Sequence, residues 1–73
     1  PTVSTSTIHV GSALHVELHA SDASGIAGFE CRFGNDPYTA CGPRLVLVPG
    51  ARVVYRAVDR NGNSSPSYSI TAP

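Results

Sequence analysis

Glycine and proline punctuate this chain at short intervals. Gly11-Ser12, Asp22-Ala23-Ser24-Gly25, Gly34-Asn35-Asp36-Pro37, Gly42-Pro43, Pro49-Gly50 and Asn61-Gly62 are all turn signals. They recur at roughly 8–12 residues, the spacing of strands in a sandwich or barrel. The stretches between them are rich in Val, Ser and Thr, which are poor helix formers. Punctuation this dense leaves no room for a long helix and predicts short strands joined by tight turns.

The stretches also alternate. Leu14, Val16, Leu18 and Ala20 face one way, and His15, Glu17 and His19 the other, as in a half-buried strand. Ala27, Phe29, Cys31 and Phe33 form the next inward row, with Glu30 and Arg32 outside. Leu45 and Leu47 belong to a short strand after Pro43. Val53, Tyr55 and Ala57 point inward between outward Arg52 and Arg56, and Tyr68 and Ile70 supply a last row. The Ser/Thr-rich start, 1–10, reads as an edge strand whose core contacts are Val3, Ile8 and Val10. Gly28 inside a strand pattern suggests a bulge or a close backbone approach. Packing the inward rows against each other in two sheets predicts an all-β sandwich of about seven short antiparallel strands.

Composition narrows the function classes. Seventy-three residues make one small domain, 1–73, with a thin core. Five Arg balance five acids, so the chain has no basic footprint for nucleic acid. No apolar run approaches the ~20 residues of a membrane helix, and no membrane insertion is expected. The chain starts at Pro1 and has no Met, which reads as a module excised from a larger protein. Nothing resembles a nucleophile elbow, a phosphate loop or a metal pair, so no catalytic residue and no enzyme activity are expected.

Cys31 and Cys41 are the only cysteines. No Cys-x-x-Cys spacing supports zinc or redox chemistry. A structural disulfide is favoured over two free thiols. It would close a loop of about eleven residues and contribute roughly 2.5–3 kcal/mol, a large share of the roughly 5 kcal/mol a domain of this size holds. It also implies an oxidising compartment, secreted or at the cell surface.

Phe29-Glu30-Cys31-Arg32-Phe33, Cys41 ten residues after Cys31, and the run Val53-Val54-Tyr55-Arg56-Ala57-Val58-Asp59-Arg60-Asn61-Gly62-Asn63 together resemble the bacterial immunoglobulin-like extracellular repeat, related in architecture to fibronectin type III domains. Ala20-Ser21-Asp22 with Ser24-Gly25 fits the same pattern. The likeness covers most of 14–63. The chain departs from the family's turns at Phe33-Gly34-Asn35 and at Val48-Pro49-Gly50. The resemblance implies a Greek-key immunoglobulin-like sandwich in a secreted or surface protein, with no activity of its own. The module would act as a spacer or accessory domain whose partners are neighbouring domains. The alternative is an adhesive module that binds a surface glycan or host protein.

Several side chains are candidates for a site. Asp22, Asp59, Asn61 and Asn63 could converge as oxygen ligands for calcium, a weak site with only two carboxylates. A hairpin loop organised by Asp59, with Asn61-Gly62 at its turn, explains the same residues better, and no cofactor is expected. Tyr38, in the loop between the cysteines, is the aromatic ring most open to a ligand, whereas Tyr55 and Tyr68 belong to the core. His15 and His19 share a face with Glu17, about 13 Å apart and too far to hold one metal ion; His9 could approach from a neighbouring strand. Glu30 and Arg56 are expected to pair across adjacent strands. Asn63-Ser64-Ser65 matches the N-glycosylation pattern.

Overall fold

The computed structural model describes residues 2–73. Seven strands follow in chain order: β1 (Thr2–Val10), β2 (Ala13–Ser21), β3 (Ile26–Phe33), β4 (Thr39–Cys41), β5 (Arg44–Leu47), β6 (Arg52–Asp59) and β7 (Tyr68–Thr71). All pairings are antiparallel. They form a three-stranded sheet, β1-β2-β5, and a four-stranded sheet, β4-β3-β6-β7. The two pack into a β-sandwich.

The core is the meeting of two central strands. β2 presents Leu14, Val16 and Leu18, and β5 adds Leu47; β6 answers with Val53 and Tyr55, and β3 with Cys31. These are the alternating residues of each strand, as period-2 side-chain geometry requires. Burying each Leu or Val stabilises the fold by about 1.5–3 kcal/mol, so these few side chains supply most of the favourable term.

Five residues expected on the inward rows need correction. Val3 packs against the core, but Ile8 and Val10 are 64% and 53% exposed. The reason is parity: Val3 lies opposite Ala20 on the inner face, whereas Ile8 lies opposite His15 on the outer face. Ala27 is exposed because the ladder shifts register between Ile26 and Gly28, leaving Ala27 unpaired in the bulge foreseen at Gly28. Phe33 ends β3 beside the exposed loop 34–37 and is itself exposed. Tyr68 stacks on Tyr55 with ring centroids 5.9 Å apart, yet it stays exposed because β7 is an edge strand.

Cys31 and Cys41 form the expected disulfide, with Cα atoms 5.8 Å apart. It staples β3 to β4 within one sheet, on the inner side. It therefore closes the loop that carries Tyr38.

Candidate functional site

Asp59 continues the inward row of β6, after Val53, Tyr55 and Ala57, and is buried. Its Oδ1 accepts hydrogen bonds from the backbone N–H of Asn61 (2.9 Å) and of Asn63 (2.8 Å). Its Oδ2 accepts one from the Asn63 side-chain amide at 3.2 Å. Backbone bonds from Asp59 N to Asn63 O and from Gly62 N to Asp59 O close the same turn, with Gly62 at φ 84°. Burial pushes the Asp59 carboxyl up, but the hydrogen bonds from the Asn63 backbone, the Asn63 side chain and the Asn61 backbone outweigh it and hold the group below its ordinary value of 3.8.

The turn after β2 lies at the same end of the sandwich. Asp22 Oδ2 accepts the Ser24 N–H at 3.0 Å, closing a local turn. Arg60 N donates to Gly25 O (3.2 Å), and the Asn61 amide donates to Ser24 Oγ (3.1 Å). Gly25 is at φ 81° beneath the Arg60 side chain, where a Cβ would come within 3.1 Å of Nε. The four calcium candidates thus lie in two loops that touch. Both Asp59 oxygens face N–H donors, and the Asn61 and Asn63 amides point their NH2 groups at protein oxygens. These are the contacts of a turn organised by a carboxylate. Among the described residues no three His, Cys, Asp or Glu side chains are grouped to hold a metal ion.

Ser65 is a contributor the sequence reading missed. Its hydroxyl is buried; it accepts the Ala57 N–H and donates to Pro66 O, both at 2.9 Å. The Ser65 N–H in turn donates to Ala57 O. One side chain thereby continues the ladder of β6 past the end of its hairpin. Within the Asn63-Ser64-Ser65 pattern, the exposed Asn63 donates its amide to Asp59, and the buried Ser65 hydroxyl bonds Ala57 and Pro66.

Tyr38 lies across the outer face of the four-stranded sheet. Its ring is half-buried; the Arg56 guanidinium stands 3.9 Å from the centroid and that of Arg32 5.7 Å. Its hydroxyl shares a 2.7 Å hydrogen bond with Ser67. Arg56 also holds Glu30, its register partner, with Nε and Nη2 each 2.8 Å from Oε1. The buried Nε of Arg32 has no hydrogen-bond partner among the described residues. Tyr38 is thus a strap tying the β3–β4 loop to the chain ahead of β7, with its π-face turned onto a cation, rather than an open platform.

The outer face of the three-stranded sheet is looser. His19 Nε2 lies 3.2 Å from Glu17 Oε1, and Arg44 Nε lies 3.4 Å from Glu17 Oε2. These side chains are well exposed, and such pairs contribute about 0–1 kcal/mol. His9 pairs with Leu14, so it stands on the opposite face from His15 and His19 and does not join them. An open cavity of about 550 Å3 lies here, lined chiefly by Ser6, Ile8, His15, Glu17, Arg44 and Val46. Ile8 and Val46 are the large apolar side chains exposed in its lining, and Val10 and Val48 are exposed elsewhere on the molecule.

No protein-family model, curated protein or solved structure matches the chain.

Proposed function

We propose that this domain is a non-catalytic, immunoglobulin-like Greek-key module of a secreted or surface protein, acting as a spacer between neighbouring domains. The strand orders β1-β2-β5 and β4-β3-β6-β7 support the immunoglobulin-like reading, and the disulfide fits an oxidising compartment.

One observation carries the spacer role: the chain enters and leaves at opposite ends. Thr2 pairs with Ser21, at the end where the turn after β2 meets Arg60. Ala72 N donates to Ala51 O, and Ala72 O accepts from Gly50 N, just ahead of β6. β6 separates these two ends by about 26 Å at 3.3 Å per residue. A module threaded end to end sets a distance between its neighbours. The side chains with binding chemistry, Asp59, Tyr38, Arg56 and Ser65, are engaged in holding its own loops.

A second reading, an adhesive module, is favoured by the exposed Ile8 and Val46 in the lining of the open cavity. The test is the isolated domain on glycan and protein arrays. A spacer gives no specific signal at micromolar concentration. A specific glycan or protein ligand, lost on Val46→Asp, overturns the spacer reading in favour of adhesion.

A further inference from the structure

A sandwich of two open sheets has four edge strands, and this one treats them unequally. β4 and β7 bound the four-stranded sheet with three and four residues, and β5 bounds the other with four residues that include Arg44. Short edges and charged edges are how folds keep unpaired N–H and C=O groups from recruiting another strand. β1 has neither protection. It runs nine residues, Thr-Val-Ser-Thr-Ser-Thr-Ile-His-Val, with no charged side chain, no Pro and no Gly. Its ladder with β2 runs from Thr2 to Val10 without a bulge. Thr2, Val3, Thr5, Thr7, Ile8 and Val10 are β-branched, the residues that suit an extended strand. Apart from Val3 every residue of β1 is exposed, on both faces.

We propose that β1 is an association edge and that its occupant is β1 of a second copy of this chain, added antiparallel across a two-fold axis. The result is one continuous sheet in the order β5-β2-β1-β1-β2-β5. Three observations select a second copy over an unrelated strand. The edge offers no charge by which to recognise a charged segment, and its neutrality leaves nothing to repel itself. The whole chain is also neutral, so two copies meet without net repulsion. Finally, the strand is self-complementary when centred on Ser6. That register pairs all nine residues, setting Thr2 against Val10, Val3 against His9, Ser4 against Ile8, Thr5 against Thr7 and Ser6 against Ser6. It never opposes two ionisable groups, and it makes two Thr–Thr pairs, which are favourable across antiparallel strands. The interface does not depend on the spacer reading: it uses the free edge of β1 along its length, whichever ends the chain enters and leaves by.

Sedimentation of the whole domain from micromolar to millimolar concentration tests the proposal, with two double variants at exposed positions. Thr5→Lys/Thr7→Lys sets Lys against Lys twice in this register. Thr5→Lys/Thr7→Glu sets Lys against Glu twice. The wild type should show a reversible monomer–dimer equilibrium. The Lys/Lys variant should raise the dissociation constant roughly tenfold or more, and the Lys/Glu variant should retain or tighten the dimer. Both should melt as the wild-type monomer does, and the Lys/Glu variant controls for folding. A wild type that remains monomeric to millimolar concentration overturns the proposal. So does a dimer that the two variants affect equally, which would place the contact on another face or in another register.

Discussion

The two sheets of this sandwich share one core but are held in different ways. The four-stranded sheet is braced from outside its own ladders: a disulfide ties β3 to β4, Tyr38 straps the loop between them to Ser67, Arg56 grips Glu30, and Asp59 knots the loop after β6. Among the described residues the three-stranded sheet has no disulfide, strap or buried carboxylate, and its cross-strand pair, Arg44 with Glu17, is exposed. Its outer face carries exposed ion pairs and exposed Ile8, Val10 and Val46, and the nine-residue β1 is an open edge. The contrast separates the halves by how they are held: one sheet is cross-braced beyond its ladders, and the other relies chiefly on its ladders and on Leu14, Val16, Leu18 and Leu47 in the shared core.

The largest effect should come from breaking the main brace. Cys31→Ala/Cys41→Ala removes the constraint on an approximately eleven-residue loop, and we expect a loss of about 2.5–3 kcal/mol in urea unfolding. That is a large fraction of the total for a chain of this size, where about 0.05–0.15 kcal/mol per residue is usual. Dithiothreitol should reproduce the loss in the wild type and leave the double variant unchanged. If reduction leaves the unfolding midpoint where it was, the disulfide is not a principal brace.

Asp59 should rank next, and its signature is pH. Its folded-state pKa is held below the ordinary 3.8. The stability it contributes is therefore fully present above the ordinary value. It is lost as pH falls through the folded value, because the folded state then takes up the proton it had resisted. Asp59→Asn should lower the melting temperature at neutral pH by several degrees. Wild-type and variant melting curves should converge as pH drops toward about 2. A constant gap across that range would mean that charge on Asp59 contributes nothing to the fold.

Much of this architecture is legible in the sequence, and the failures have identifiable causes. Alternation places Leu14, Val16, Leu18, Val53, Tyr55 and Ala57 correctly because each central strand has a single inward parity. The same rule, extended by two residues, also puts Asp59 on the inward row, which marks it as a buried carboxylate needing donors. In β1 hydrophobicity misled where parity would not have: Val3 and Ile8 cannot share a face in an unbulged strand. The partnership of β5 with β2 is a long-range pairing that no local pattern encodes. The path of Tyr38 is equally hidden, because it is set by guanidinium groups on two strands of the neighbouring ladder.

A smaller effect is expected at Tyr38. Tyr38→Phe deletes the bond to Ser67 and should cost about 1 kcal/mol. Tyr38→Ala also removes the ring from the guanidinium of Arg56 and should cost about 1 kcal/mol more. A double-mutant cycle with Arg56→Gln isolates that second contribution. A coupling of zero would show that ring and cation are merely adjacent.

The smallest effect should lie on the open sheet, and it sharpens the contrast most directly. Ile8→Thr keeps β-branching and strand propensity while removing apolar surface that is already in water. Monomer stability should change by no more than about 0.5 kcal/mol, as for surface sites without partners. The same exchange at Val16, where the side chain is buried between the sheets, should cost at least about 1–3 kcal/mol through an unsatisfied hydroxyl. The two positions differ in which face of the sheet they occupy, so the ratio of their effects measures how one-sided that sheet is. If Ile8→Thr destabilises the monomer as much as Val16→Thr, the outer face is structural after all, and the contrast between the two sheets fails.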